Sequence, residues 1–348
     1  MKKICIMSLF FAVSCEFSQQ YQHVEKFSMD DFIKKIDLSG IELIDESKLY
    51  KPVRLYLIDD SILVMLNIHA ENHFLKYNIH RKEMTGECIP FGSGPGEMIF
   101  PKYFQQTDTL IWIYDTGKNS MIAYLTHDFC VESNPDPAFV IKFEEQLDAV
   151  AIGKNEQIIS TVLSSNPERL CFFDKEGQLS ASKGILPDYG QNLTVVESIE
   201  SFLCNIAVNP NTGYICLPYK RTDLIEFYDS TGLLLKRIHG PDHFFPVLTQ
   251  INRDNMSGIR SIEGKTRDGY FSPFATKNEI YILYSGKYFK RDENQYLCNQ
   301  IFTFDWDGNL QNNYVLDIPI FNFVVDERQN KIYGITDDPE FRIIEFQL

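Results

Sequence analysis

The stretch Ile225-Glu226-Phe227-Tyr228-Asp229-Ser230-Thr231-Gly232-Leu233-Leu234 decides how this chain is read. An apolar, aromatic run leads into Asp-x-x-Gly, and a second apolar run follows. Asp at the start of a tight turn can accept bonds from the amides ahead of it, and Gly supplies the positive φ that closes the turn. The segment therefore reads as a β-hairpin. The same pattern stands at Leu170-Cys171-Phe172-Phe173-Asp174-Lys175-Glu176-Gly177-Gln178-Leu179 and at Ile301-Phe302-Thr303-Phe304-Asp305-Trp306-Asp307-Gly308-Asn309-Leu310. Copies of one hairpin spread along a chain point to a repeating architecture.

Working outward, a second hairpin precedes each copy. Ala207 to Pro218 turns at Asn211-Thr212-Gly213, Pro273 to Tyr284 at Lys277-Asn278, and Ala149 to Ser160 at Gly153-Lys154-Asn155. Two consecutive hairpins make a four-stranded meander, which is one blade of a β-propeller. Weaker copies fill the rest: Arg54 to Met65 with Phe74 to Glu87, Tyr103 to Tyr114 with Met121 to Glu132, and Phe321 to Tyr333 with Phe341 to Phe346. The count is six, and no seventh signature is present. A β-sandwich would not need a repeating blade. The fold class is thus all-β, a six-bladed β-propeller. Its last blade has only three strands before Leu348, and an open edge is a liability. A segment within Phe32 to Leu49 is expected to pair beside Phe341–Phe346 and close the ring.

Composition agrees. Among 348 residues there are 27 Phe and 18 Tyr, with aromatics at 14%, which suits pleated, half-buried surfaces. The formal charge is −15. A surface this acidic repels phosphate backbones, so nucleic acid is not expected as a partner. The same acidity also serves solubility alone.

The first residues read as a targeting segment. Lys2 and Lys3 precede the apolar run Ile4 to Val13, which is too short to span a bilayer and fits a signal h-region. Ala12-Val13-Ser14-Cys15 resembles the lipobox of bacterial lipoproteins, with Ala12 where Leu is usual. Cys15 is then the lipidation site; alternatively, a signal peptidase cuts after Ser14 and leaves Cys15 free. The domain layout is a signal peptide over 1–15, a polar tether over 16–30 and the propeller over 31–348. The expected location is the cell envelope, lipid-anchored to the outer membrane or otherwise periplasmic, with the anchor as the one membrane contact and a monomeric chain.

If blades run A to D outward, B–C loops and D-to-A crossovers share one face, and three groups of unusual residues fall there. Phe91-Gly92-Ser93-Gly94-Pro95-Gly96-Glu97 either exposes amides as an anion-binding nest or is a rigid crossover in which Glu97 bonds the loop's own amides. The long connection His239 to Ser272 holds His243, Phe244, Phe245, Arg253, Arg260 and Arg267. It is a ligand surface or a flap over the channel mouth. Lys118, Lys220, Arg221 and Lys287 are B–C loop bases, and Tyr219 and Tyr284 lie beside them. Several bases on one face of an acidic chain could select an anion, although loops are polar in any case.

Catalytic signals are weak. The seven histidines show no metal-binding helix spacing. His239 and His243 flank Pro241-Asp242, a faint metal hint. No nucleophile elbow or reactive cysteine context appears. Six cysteines outside the leader (Cys88, Cys130, Cys171, Cys204, Cys216, Cys298) lie mostly in apolar runs, as small hydrophobes do. Cys204 and Cys216 are the pair placed to meet across one hairpin.

Gly92-Ser93-Gly94-Pro95-Gly96-Glu97 and Ile280-Tyr281-Ile282-Leu283-Tyr284-Ser285-Gly286-Lys287 together resemble the TolB-like six-bladed propeller lipoproteins common in Bacteroidetes, over about residue 50 to the end. The resemblance implies a propeller and an envelope location, and no settled activity. The functional expectation is a non-catalytic binding or scaffolding protein, holding a peptide, glycan or partner protein on the loop face, with no cofactor. The alternative is a metal-dependent enzyme of lactonase or lyase type with calcium or zinc in the channel, an argument from fold analogy. A channel lined by apolar, aromatic groups favours the first; three or more converging carboxylates or imidazoles favour the second.

Overall fold

The three Asp-x-x-Gly copies form the turns their residues dictate. In each, one Asp oxygen accepts two amides ahead of it: Glu176 and Gln178 at Asp174, Thr231 and Leu233 at Asp229, Asp307 and Asn309 at Asp305, all at 2.8–3.0 Å. Gly177, Gly232 and Gly308 take φ of 80°, 84° and 74°. Each glycine also lies against the preceding blade. A Cβ on Gly232 would sit 2.9 Å from Lys183 Cβ and 3.0 Å from the Phe172 ring.

A computed structural model describes residues 24–348 except 69, 163–167, 192, 254–255 and 292–295. The leader, Cys15 and the first part of the tether lie outside those residues. Six antiparallel sheets make six blades. Their inner A strands are Arg54–Ile58, Pro101–Gln106, Leu147–Ile152, Ala207–Val208, Tyr270–Ala275 and Asn322–Asp326. Apolar layers fill the space between neighbours. Between blades four and five lie Phe227, Ile282, Phe302 and Trp306.

The N-terminal segment straps three blades in order. Glu25–Lys26 pairs parallel to the outer strand Leu234–His239 of blade four, and Lys34–Leu38 parallel to Leu310–Ile320 of blade five. Gly40–Ile44 then becomes the fourth strand of blade six, antiparallel to Arg342–Gln347, with Ile44 opposite Ile343. The ring closes as the unpaired edge requires. Residues 24–30 are not free tether: Phe27 is buried, packed edge-on against Phe32 at 5.9 Å and against Phe304 at 6.0 Å.

Blade two departs from the sequence expectation. Met121 lies within the third strand, Ser120–Leu125, but Thr126–Val131 is a helix rather than the fourth strand. Phe129 of that helix is fully buried against Phe74 and Phe104 at 5.6 and 5.7 Å. The fourth strand is Phe139–Lys142, beyond Pro135 and Pro137. All six cysteines in the propeller are free thiols, Cys204 and Cys216 included. Among the described residues no helix is long and apolar enough to cross a membrane.

Candidate functional site at the loop face of the channel

The A strands leave a central channel of about 480 Å³. Amide side chains stitch its wall together. Gln105 exchanges two bonds of 2.8 Å with the Ile152 backbone of the next blade. Asn322 accepts the Leu55 amide at 2.6 Å and donates to Ser272 at 3.0 Å, joining blade six to blades one and five. Tyr56 stacks on Phe104 at 4.3 Å across blades one and two. With Phe274 and Phe323 also lining it, the wall between the ends is amide, aromatic and aliphatic, and Asp60 stands at the end away from the loop face.

The two ends of the channel differ. Each A strand starts at the face that carries the crossovers and B–C loops. Arg54 is the first residue of its strand and Lys102 the second, so both stand at that mouth. Lys102 pairs with Asp148, near the start of the third A strand, at 3.2 Å and lies over the Tyr103 ring at 5.1 Å. Lys220 joins them from the B–C loop of blade four. Its amide donates to Leu203 O at 2.9 Å, which sets it beside Asn205 at the start of the fourth A strand. Burial pushes the Lys220 ammonium below the ordinary lysine value of 10.5; Asp148 opposes this, while Lys102 and Arg54 add to it. Burial pushes the Tyr56 phenol up to about 12 against the pull of Arg54, and Tyr103 rises further. Among the described residues neither Arg54 nor Lys220 has a side-chain hydrogen bond or ion pair with the protein.

Most of the residues singled out by sequence are held by other parts of the protein. Lys118 donates to Gly94 O and Glu97 O at 2.8 and 2.6 Å. Glu97 accepts the Gly94 amide at 2.7 Å, and its carboxylate fills the space where Cβ atoms on Gly92 and Gly94 would stand. Gly96 follows Pro95 with φ of 75°. The geometry is that of a rigid crossover tied by its own glutamate. Arg221 pairs with buried Asp268. Burial pushes the Asp268 carboxyl above the usual aspartate range, although Arg221 pulls it down. Lys287 donates to Leu297 O at 2.7 Å. Tyr219 is fully buried and donates to Glu226, which also accepts Tyr228 and Arg237.

The long connection folds back as a flap, with a two-stranded hairpin Leu248–Arg253 and Met256–Ser261 at its tip. Arg253 ends the first of these strands. The anchor is Asp223, which sequence reading did not single out. It accepts the amides of Asp242, His243 and Phe244 at 2.7, 2.7 and 2.9 Å and pairs with His239 at 2.9 Å. His243 itself is exposed, with φ of 58°. Asp242 accepts the Tyr284 hydroxyl at 2.7 Å and pairs with Arg267, which stacks on Phe244 and Tyr288 at 4.5 and 5.1 Å. Of the candidates singled out from the sequence, Lys220 alone is placed by these contacts at the channel mouth among the described residues. Arg54 and Lys102, which join it there, carried one signal in the sequence: a base at the first or second position of an inner strand.

Comparisons with known proteins place this architecture. No curated protein sequence matches the chain. Solved structures with the same fold include a member of the DUF4221 family from Bacteroides vulgatus. It has TM-score 0.57 and 9% identity, with 89% of this chain and 96% of that one covered. A Bacteroides fragilis protein named as exported aligns with TM-score 0.54 and 12% identity over 93% and 98% of the two chains. The WD40 domain of Neurospora crassa Pan2 aligns at 0.51 and 9% over 88% and 94%. At these identities the likeness shows the fold alone. The family model described as TolB-like 6-blade propeller-like matches residues 31–328. The chain belongs to the TolB-like six-bladed propeller family.

Proposed function

We propose that this protein is a binding module of a bacterial cell envelope that holds its ligand on the loop face, over the mouth of the central channel. The observation that carries this reading is the channel itself. Between its ends the wall is aromatic, amide and aliphatic, with the bases Arg54 and Lys102 at the loop-face end and Asp60 at the other. The crossovers that deliver Arg54 and Lys102 to the mouth each carry an exposed aromatic, Tyr50 and Phe100. Rigid blades with converging loops suit recognition. Among the described residues no three His, Cys, Asp or Glu side chains come together to hold a metal ion, so the binding reading is preferred to a metal-dependent enzyme. Export and lipid anchoring are read from the Lys2 to Cys15 leader; the name of the Bacteroides fragilis neighbour supports export alone. A peptide, glycan or partner protein is the class of ligand, and the acidity of the chain disfavours nucleic acid.

Two measurements test this. Peptide and glycan screens should give a ligand whose affinity falls at least tenfold in Tyr50→Ser or Phe100→Ser, while Ile33→Ser on the outer rim leaves it unchanged. A ligand indifferent to both crossover aromatics would move the site elsewhere. Metal analysis by mass spectrometry, with melts in and out of EDTA, should show an unchanged melting temperature. Stoichiometric calcium or zinc lost together with stability would favour the enzyme reading.

A further inference from the structure

We infer that the channel mouth is an oxyanion site, built from Arg54, Lys102 and Lys220 to take a carboxylate or phosphate group of the bound ligand. This rests on the binding reading above and names the chemistry recognised. Arg54 and Lys102 line the mouth beside Asn205, Lys102 pairs there with Asp148, and the Lys220 amide, bonded to Leu203 O, brings a third base from blade four to its edge. Asp148 is satisfied by Lys102 at 3.2 Å. Arg54 and Lys220 are left without a protein acceptor among the described residues.

Elsewhere on the same face four other bases have partners within the protein. Arg221 has Asp268, Arg267 has Asp242, and Lys118 and Lys287 have backbone carbonyls. In a chain of formal charge −15, a mouth where three bases face one carboxylate is a local exception.

The physical case follows from burial. An unpaired ammonium held partly out of water is costly, and an incoming oxyanion would remove that cost. Arg presents a planar fork suited to carboxylate or phosphate, and Lys adds a point charge beside it. Asn205 lines the same mouth and offers a neutral amide. Tyr103 and Phe104 lie farther along the A strand, so the charged end of a ligand meets the mouth while any apolar part can pass inward.

The experiment is a thermal and calorimetric titration of the purified protein with inorganic phosphate and, separately, with citrate. Ionic strength is held constant with sodium chloride. A saturable rise in melting temperature is expected with at least one of them, and the arm that saturates first tells phosphate from carboxylate. In Arg54→Gln and in Lys220→Met the dissociation constant should weaken at least tenfold. Lys34→Met makes the same change in net charge on an exposed outer strand and should behave as wild type. Without anion, Lys220→Met should melt no lower than wild type, so a lost response cannot be ascribed to misfolding. The inference is overturned if neither anion outperforms the chloride control, or if both mouth variants respond as wild type. Should the anions fail while a neutral ligand still depends on Tyr50 and Phe100, this inference falls and the binding reading stands. If that dependence is missing too, both fall.

Discussion

Lys220 shows how far one residue's role depends on what surrounds it. Its neighbours in sequence, Tyr219 and Arg221, look equally suited to a ligand, yet one is buried on Glu226 and the other is paired with Asp268. The partners are remote in sequence or point inward, so no local spacing announces them. Lys220 was legible as a candidate; Arg54 and Lys102 were not, because they approach it only once the blades close into a ring. The lysine carries a testable cost. Its folded-state pKa is depressed, chiefly by burial, with Asp148 pulling the other way and Lys102, Cys204 and Arg54 also in the field. A lysine that holds its proton less tightly when folded destabilises the fold wherever the unfolded chain is protonated. That penalty is full below the depressed folded value and vanishes above the unfolded value, near 10.5. Lys220→Met should therefore stabilise the protein by ~1 kcal/mol at neutral pH. In thermal melts across pH, its advantage over wild type should narrow as 10.5 is approached. A constant advantage at every pH would mean that packing, not charge, is responsible.

At the scale of single elements, the Asp-x-x-Gly turns were the most legible part of the chain, because the whole mechanism lies within a few residues. Gly232→Ala meets both a positive φ of 84° and the Phe172 and Lys183 side chains of the preceding blade. Denaturant unfolding should show a loss of ~2 kcal/mol. Gly264 has a similar φ of 70° with nothing within 4 Å of a would-be Cβ, so Gly264→Ala should cost only ~1 kcal/mol. Equal losses would show that the contact with the neighbouring blade is immaterial. The fourth strand of blade two was misread for the opposite reason. Met121 to Glu132 has no Gly or Pro to mark a break, and Phe129 is drawn into the layer around Phe74 and Phe104 as a helix residue. Asp223 gives the sharpest test among the loops. Removing it strands three amides and a histidine, so Asp223→Ala should cost ~3 kcal/mol. Limited proteolysis should then cut near 240–247 before the blades unfold. Cleavage no faster than in wild type would mean that the flap is held by Arg267 and Phe244 instead.

For the whole molecule, the ring is held by pairing of residues far apart in the chain. Ile44 is buried among Leu55, Leu63 and Ile343, whereas Ile41 on the same strand is exposed. Ile44→Asp should cost ~3 kcal/mol by burying an unpaired carboxylate. It should also speed amide exchange in Arg342–Gln347, while Ile41→Asp changes stability by less than ~0.5 kcal/mol. Matching losses from the two would mean that the closing strand is not packed as described. The number of blades and the need for a closing strand were readable because a propeller must end its edge somewhere. The path of the segment before it was not, since pairings as short as Glu25–Lys26 leave almost no pattern.

That strap has a consequence in time as well as in space. A chain made and moved from its first residue onward presents residues 25–44 early, yet their partners are His239, Leu316 and Phe346. The belt must wait, unpaired, while almost all the rest of the chain arrives. Blades one to three can assemble in order behind it, but the final edge seals only when the last strand has been delivered. A molecule interrupted anywhere before Phe346 would keep an unfilled seam at blade six, so the seam records whether delivery was finished.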